Sequence, residues 1–123
     1  MDRDKKEVIA SIDANQAELI NISDEIWALA ETAFNEEGSS KILADYAEEN
    51  GFKVERGVAG MPTAFTATYG SGKPVIGILG EFDALPGISQ KAQPTKEALN
   101  EGAAGHGLLR SRTSCGPVAF FDR

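Results

Sequence analysis

The stretch Lys73-Pro-Val-Ile-Gly-Ile-Leu-Gly-Glu-Phe-Asp-Ala-Leu-Pro-Gly87 decides the predicted fold. It begins as an apolar strand, runs without a spacer into the carboxylates Glu81 and Asp83, and closes on a Pro-Gly turn signal. In open α/β sheets, ligands bind just outside the carboxyl ends of the strands. Two acids at such a place indicate a functional site, and the only histidine, His106, follows in a Gly-His-Gly run.

Composition sets the broad class of the protein. The 123 residues favour one domain, and the 41% hydrophobic and 25% charged content is ordinary for a soluble globular chain. The net charge of −7 disfavours nucleic acid and an anionic membrane surface as partners. No apolar window is long enough to span a bilayer, and the charged N-terminus does not resemble a secretory signal. Because Cys115 has no second cysteine to pair with, these features together predict a cytoplasmic protein.

A long amphipathic helix is predicted from residue 4 to about residue 32, a stretch without Gly or Pro. Its apolar residues recur at spacings of three, four and seven, which places them on one stripe of a helix packed on a sheet. The stripe consists of Ile12, Leu19, Ile22, Ile26 and Leu29, extended by Val8 and Ile9 and widened by Trp27.

A second helix is predicted from about Glu37 to Asn50, with Ser39 or Ser40 as its N-cap and Gly51 as the left-handed residue that ends it. Its expected buried face comprises Ile42, Leu43, Tyr46 and Ala47. The acids around this helix are interpreted as a solvated face and not as a metal site; they are Glu36, Glu37, Asp45, Glu48 and Glu49.

The hydrophobic period then changes from helical to alternating. Residues 52–58 and 63–69 are predicted as two strands, and 75–79 as a third strand that is apolar on both faces and therefore central and covered. This order predicts an α/β layer arrangement. Residues 88–105 lack periodicity and are predicted to form an irregular loop, with a short helix over 95–99.

Glu81, Asp83 and His106 are the candidate metal donors of the chain. Their oxygen and nitrogen atoms suit zinc, manganese or cobalt. At a strand end followed by a turn, one acid can ligate a metal while the other orients a ligand. Spacing alone leaves the plainer interpretation open, in which His106 is an exposed histidine in a glycine-rich loop.

Four stretches together resemble a known family. They are Ile26-Trp-Ala-Leu-Ala-Glu-Thr-Ala-Phe-Asn-Glu-Glu37, Asn50-Gly-Phe-Lys-Val54, Gly80-Glu-Phe-Asp-Ala-Leu-Pro-Gly-Ile-Ser-Gln90 and Gly105-His-Gly107. In this order and at these distances they are similar to the N-terminal portion of the zinc-dependent amidohydrolases of metallopeptidase family twenty, most of all to the aminobenzoyl-glutamate branch. The resemblance covers residues 1 to about 107.

The resemblance implies an activity and an architecture. It implies the N-terminal portion of a zinc-peptidase-like catalytic domain with an incomplete sheet, in a family that cleaves the amide bond of small N-acyl amino acids. In such enzymes two divalent ions activate a water and polarise the scissile carbonyl, and a glutamate acts as general base. Zinc is the implied metal, with manganese or cobalt as alternatives.

The same resemblance assigns roles residue by residue. Asp83 matches the acid of the family's Asp-Ala-Leu-Pro element, for which we expect an orienting catalytic role. Glu81 occupies a position where relatives carry a site-facing acid or histidine, and His106 matches the first histidine of a His-Gly-Cys-Gly-His motif, so both are expected to bind metal. The motif then breaks, because leucines follow Gly107 and Cys115 lies nine residues after His106 instead of two.

This break shapes the functional expectations. Residues 1–107 are predicted to be a partial catalytic domain, and residues 108–123 a disordered tail outside the family. The tail carries 3 basic residues and 1 acidic residue. This change of composition where the motif breaks fits a reading-frame shift. The chain is therefore expected to be inactive alone and not to hold metal stably. Two alternatives remain: an interaction module or split-enzyme half that self-associates or pairs with a longer relative, and a small enzyme built on the three donors. We also expect marginal folding, with apolar surface exposed around 75–79.

Overall fold

The computed structural model describes residues 3–107, and its elements follow the predicted order of two helices and then strands. These elements are α1 (Arg3–Leu29), α2 (Glu37–Glu49), β1 (Lys53–Arg56), a 3-10 turn (Val58–Gly60) and β2 (Phe65–Thr68). The prediction of an α/β fragment with an incomplete sheet is confirmed. Cys115 and the predicted disordered tail lie outside the described residues.

Helix α1 buries less of its apolar stripe than the sequence predicts. Ile26 is buried, and Leu19 and Ile22 are half-buried, whereas Ile12 and Leu29 are 53% and 45% exposed. The reason is that α1 has 27 residues and packs on α2, which has 13, so much of its length lacks a partner helix. Among the described residues, neither helix is long and apolar enough to cross a membrane.

Helix α2 begins with a cap supplied from outside it. The Glu31 carboxylate accepts hydrogen bonds from the N–H groups of Gly38 and Ser39, at 2.9 and 2.8 Å, and from the Ser39 hydroxyl at 2.7 Å. These N–H groups belong to the first turn, where no intrahelical acceptor exists. The predicted N-cap was therefore wrong: Ser39 and Ser40 lie inside the helix and are buried, and a carboxylate near the positive end of the helix dipole replaces them.

The other end of α2 follows the prediction. Gly51 adopts the left-handed conformation with φ of 84°, and its N–H donates to the carbonyl of Glu48 at 3.0 Å. The N–H of Phe52 donates to the carbonyl of Ala47, also at 3.0 Å. This pair of bonds is the Schellman motif, which uses the last free carbonyls of the helix.

The acids around α2 fall into two groups. Asp45 and Glu48 both accept from Arg56 on β1, at 2.9 and 2.8 Å, and these exposed ion pairs tie the helix to the hairpin. Glu36 does not belong to the solvated face that was predicted, because it is only 9% exposed. It accepts a hydrogen bond from the Thr63 hydroxyl at 2.9 Å, so a buried polar pair fixes the start of α2 to the residues before β2.

Strands β1 and β2 form an antiparallel pair in which Lys53 lies opposite Thr68 and Arg56 opposite Phe65. Both are shorter than predicted, since Gly57 takes a left-handed conformation directly after β1 and ends the pairing. Helix α2 packs on both strands and on α1, so it lies at the centre of the fold. Among residues 3–107, the buried apolar residues are Ile26, Leu43, Ala44, Tyr46, Ala47 and Ala84.

The prediction of a central third strand was wrong. No strand is assigned over residues 75–79, and the side chains there are exposed: Val75 by 83%, Ile76 by 82%, Ile78 by 59% and Leu79 by 90%. A central strand needs a hydrogen-bonded neighbour on each side and a layer over each face. Within residues 3–107 the two strands pair with each other, and residues 75–79 are all exposed, so no layer covers them.

The loop over residues 88–105 is irregular, as predicted, but the short helix at 95–99 does not form. The side chain of Gln90 takes backbone groups that a helix would use: it donates to the Thr95 carbonyl at 2.8 Å and accepts from the Glu97 N–H at 3.1 Å. Local side-chain bonds of this kind compete with helix formation.

Candidate functional site

Two backbone bridges assemble the candidate site. The N–H of Ala84 donates to the backbone carbonyl of Glu31 at 2.7 Å, which fixes the segment after Glu81 beside the chain that follows α1. Leu85 and Gly105 exchange N–H to carbonyl hydrogen bonds, both of 3.0 Å. Three distant parts of the sequence therefore meet at one place.

These bridges bring two of the three predicted donors together. Asp83 immediately precedes one bridge residue and His106 immediately follows another, so the two side chains start from adjacent backbone. The negative charge of Asp83 acts on the imidazole, since it favours the protonated form of His106. The Asp-Ala-Leu-Pro and Gly-His-Gly motifs of the sequence therefore lie side by side in the structure.

His106 is the most enclosed polar side chain of the site. It is 2% exposed, and neither Nδ1 nor Nε2 has a hydrogen-bond partner among the described residues. Burial lowers the pKa of His106, while the nearby backbone carbonyl of Ile26 and the charge of Asp83 partly oppose that shift. The ring is therefore biased towards the neutral form, which has a free lone pair on one nitrogen. The interpretation of His106 as an exposed loop histidine is wrong.

Glycines on each side of His106 let the chain pass close to the loop after the Pro-Gly turn. A Cβ on Gly105 would lie 2.6 Å from the Cα of Ser89, and one on Gly107 would lie 2.4 Å from the carbonyl oxygen of Ile88. The Gly107 N–H donates to that same oxygen at 3.1 Å. No larger residue fits either position without moving backbone, so the glycines set the depth at which the imidazole lies.

The acids differ in their surroundings. Asp83 is half-buried beside His106, whereas Glu81 is exposed. Within residues 3–107, no three side chains of His, Cys, Asp or Glu lie close enough together to hold a metal ion. The predicted set of Glu81, Asp83 and His106 therefore does not form a three-donor cluster in the described chain.

The arrangement suits one half of a metal site. A buried imidazole with two unpartnered nitrogens offers a ligand atom, and an adjacent carboxylate can orient it, as acids near ligating histidines do. Structural and catalytic zinc sites use three or four protein ligands. The residues from 3 to 107 thus fit the start of such a site and do not supply a complete one.

Glu31 is the site-supporting residue that the sequence interpretation missed. It lies in the Ile26–Glu37 stretch that resembles the amidohydrolases, yet only the structure reveals that its carboxylate caps α2 while its carbonyl holds Ala84. Its burial would raise the pKa, but hydrogen bonds from Ser39 and Gly38 outweigh that effect and lower the pKa of Glu31 below its usual value. Nothing in the sequence marks this role, because the burial of Ser39 is visible only in the structure.

Comparison with known proteins gives one clear relationship. Over 114 residues the chain is 46% identical to a subunit of p-aminobenzoyl-glutamate hydrolase from Escherichia coli (strain K12). The match covers 89% of this chain and 24% of that protein, so the chain spans about a quarter of the length of its relative. No protein-family model matches the chain. The identity supports a relationship to that hydrolase.

Proposed function

We propose that this chain forms part of a metal-dependent amidohydrolase that cleaves the amide bond of N-acyl amino acids of the aminobenzoyl-glutamate kind. The observation that carries the proposal is the 46% identity to the p-aminobenzoyl-glutamate hydrolase of Escherichia coli. Because the match covers 89% of the chain, it includes the segment from Glu81 to His106. A cytoplasmic setting belongs to the same proposal.

The geometry of the site supports specific roles. His106 serves as a metal ligand, because a buried imidazole without hydrogen bonds has the free nitrogen that a metal needs. Asp83 orients His106 and favours its interaction with a cation, and Glu81, at the exposed edge, is the second ligand candidate. A bound zinc, manganese or cobalt ion would supply water activation and carbonyl polarisation.

The described residues do not complete this chemistry. No three donors that could hold a metal ion converge within residues 3–107. We therefore propose that the chain by itself lacks turnover. Its own residues provide part of the proposed site. Asp83 and His106 lie on adjacent backbone, and Glu31 holds the segment that carries Asp83.

A second candidate function is a non-catalytic module, or half of a split enzyme, that pairs with a longer relative. The exposure of the apolar side chains at 75–79 favours it, because such surface is usually covered by another chain. The relative is itself named as one subunit of its enzyme, which is consistent with such pairing.

One set of measurements distinguishes these functions. The full chain is purified, loaded with zinc and dialysed, and the metal per monomer is measured together with hydrolysis of p-aminobenzoyl-glutamate. We expect less than one zinc per monomer and no turnover. Stoichiometric zinc with turnover would show that the chain is a complete enzyme and overturn its assignment as part of a site.

Matched variants test the ligand assignment itself. Zinc affinity of the full chain is measured by competition with a chelating dye for wild type, His106→Ala and Asp83→Asn. Loss of an orienting partner typically weakens metal affinity by about 10- to 100-fold, so we expect Asp83→Asn to lie between wild type and His106→Ala. Equal affinities in all three proteins would contradict the proposed roles. Copurification with the full-length relative would support the module function.

A further inference from the structure

The pair Asn50-Gly51, directly after α2, is the only Asn-Gly sequence in the chain. Asparagine is a chemically labile residue, and it loses its side-chain amide most readily before glycine, whose backbone nitrogen is not crowded by a Cβ. Both residues are exposed, so water reaches them. Sequence and exposure alone predict a reactive site, and the geometry of the helix end determines when it reacts.

The loss of the amide, deamidation, proceeds in two steps that need only water. The Gly51 backbone nitrogen gives up its proton and bonds to Cγ of Asn50, while the bond from Cγ to Nδ2 breaks and the amide nitrogen takes up a proton and leaves as ammonia. Water then opens the resulting five-membered succinimide at either carbonyl. One opening yields aspartate, and the other yields isoaspartate, in which the main chain runs through the side-chain carbon.

The C-terminal cap of α2 holds both reacting groups away from this path. The Gly51 N–H donates to the carbonyl of Glu48 at 3.0 Å, so the attacking nitrogen keeps its proton and points into the helix. Nδ2 of Asn50 donates to the carbonyl of Tyr46 at 2.8 Å, which anchors the side-chain amide over the last turn. Both hydrogen bonds must break before the nitrogen can reach Cγ.

The backbone angle at Asn50 opposes the ring closure independently of these hydrogen bonds. In a succinimide, Cβ and the nitrogen of the next residue lie on the same side of the Cα–C bond. The ψ of Asn50 is 17°, which turns the Gly51 nitrogen to the opposite side. Reacting atoms must approach to about 3–3.5 Å in the right orientation, and the folded helix end does not allow this approach.

We propose that Asn50 is a deamidation site that the C-terminal cap of α2 keeps closed, and that opening of the cap converts the residue irreversibly. Helix ends open locally at a lower free energy than the whole fold, so the conversion occurs in chains that are otherwise folded. This inference does not depend on the proposed amidohydrolase function.

The products cannot rebuild the cap. An aspartate at this position has no side-chain N–H for the Tyr46 carbonyl, and its charge lies at the negative end of the helix dipole, next to Glu48 and Glu49. An isoaspartate adds a carbon to the main chain before Gly51 and displaces the N–H groups that complete the cap. Conversion therefore weakens the end of α2 and favours further opening.

Peptide mass spectrometry of the full chain measures the reaction at this single site. Trypsin cleaves after Lys41 and Lys53, and the resulting peptide contains Asn50 as its only asparagine. The chain is incubated at mildly alkaline pH in sodium chloride, where it is folded, or in guanidinium chloride, where it is unfolded. The peptides with asparagine, aspartate and isoaspartate are then separated and quantified.

The folded chain should convert more slowly than the unfolded chain. One hydrogen bond shifts a folding equilibrium about two- to tenfold, and two such bonds must break. We therefore expect conversion of Asn50 to be slower by about tenfold or more in the folded chain. In the unfolded chain, Asn50 should convert faster than the asparagines that do not precede glycine, which are Asn15, Asn21, Asn35 and Asn100.

The variant Tyr69→Ala tests whether the cap is the barrier. The Tyr69 ring packs on Phe52, whose N–H completes the cap, with ring centroids 5.1 Å apart. An aromatic pair shifts an equilibrium about two- to tenfold, so its loss should accelerate conversion by that factor in the folded chain. The residues around Asn50 are unchanged, so the rate in the unfolded chain should equal that of wild type. Phe34→Ala, which removes a ring that is 74% exposed, is the control and should convert like wild type in both states.

Circular dichroism checks that each variant stays folded during the incubation, and Tyr69→Leu replaces Tyr69→Ala if the latter unfolds. Equal rates in the folded and unfolded wild-type chain would show that the cap gives no protection and would overturn the proposal. So would equal rates of the Tyr69 variant and the Phe34 control in the folded state. Absence of conversion in the unfolded chain would show that Asn50 is not a deamidation site.

Discussion

The Glu31 carboxylate accepts two hydrogen bonds from Ser39, one from its backbone N–H at 2.8 Å and one from its hydroxyl at 2.7 Å. The backbone carbonyl of Glu31 also accepts from the N–H of Ala84, the residue after Asp83. One residue thus links the first turn of α2 to the segment that carries the candidate site. Loss of this carboxylate should therefore lower the stability of the fold and disturb the candidate site.

Glu31→Gln should lower the free energy of unfolding by about 1 kcal/mol, the usual effect of losing a helix cap. The amide oxygen can keep at most the two hydrogen bonds that Oε2 accepts from Ser39, but the amide nitrogen then faces the Gly38 N–H and the charge near the helix N-terminus is gone. Urea denaturation followed by circular dichroism measures the change. Glu55→Gln, at an exposed position on β1, is the matched control and should stay within about 0.5 kcal/mol of wild type.

Glu31 should also make the stability of the fold depend on pH. The pKa of Glu31 is lower in the folded chain than its ordinary value of 4.5, so the folded state binds the proton less readily than the unfolded state. Its contribution is present above that ordinary value and is lost as the pH falls through the folded pKa. The stability difference between wild type and Glu31→Gln should therefore shrink on acidification below pH 4.5. A difference that is constant from neutral to acidic pH would contradict this account.

The sequence predicted those parts of the fold that depend on local pattern. Helical periodicity and the left-handed Gly51 are local properties, and both were confirmed. The cap of α2 was missed because its acceptor, Glu31, comes from a preceding loop and not from the residues next to the helix. Glu36 was interpreted as solvated for the same reason, since Thr63, its partner, is 27 residues away.

The predicted third strand shows that a strand-like sequence pattern is not sufficient for a strand to form. Val75, Ile76, Ile78 and Leu79 have the composition of a buried strand, but a strand forms only when another strand satisfies its backbone. At the site, the motifs grouped Asp83 with His106 as candidate site residues, and the structure places them on adjacent backbone. The burial of the imidazole was not, because it follows from the close approach of the glycine-flanked chain to residues 88 and 89.

Thr63→Val should destabilise the fold through Glu36. The substitution keeps the shape of the side chain but removes the hydroxyl that donates to the Glu36 carboxylate at 2.9 Å in a buried setting. A buried acceptor without its donor costs about 1–3 kcal/mol, which chemical denaturation resolves. Thr66→Val is the control, because Thr66 is exposed on β2, where valine is equally suited to a strand. Equal effects of the two variants would show that the Glu36–Thr63 bond contributes nothing.

Gly105→Ala should disturb the site more than Gly80→Ala. A Cβ at Gly105 would lie 2.6 Å from the Cα of Ser89, which is backbone and cannot rotate away, whereas one at Gly80 meets nothing within 4 Å. Overpacking of this kind costs about 1–3 kcal/mol. Amide hydrogen exchange of Leu85, whose N–H bonds to Gly105, should accelerate in the first variant and stay unchanged in the second. Unchanged exchange in both variants would mean that the contact at Ser89 relaxes freely.

In metal-free protein, His106→Leu should raise the free energy of unfolding, whereas Thr63→Val should lower it. His106 is 2% exposed, and both ring nitrogens lack hydrogen-bond partners among the described residues, so the imidazole carries a desolvation cost. Replacing it with an apolar side chain of similar size removes that cost, and we expect the free energy of unfolding in the presence of a chelator to rise by about 1 kcal/mol. Zinc added without chelator should stabilise wild type and leave His106→Leu unaffected, since the leucine offers no ligand atom. A loss of stability in the metal-free variant would mean that the imidazole nitrogens have hydrogen-bond partners. That result would contradict the proposal that His106 is a metal ligand.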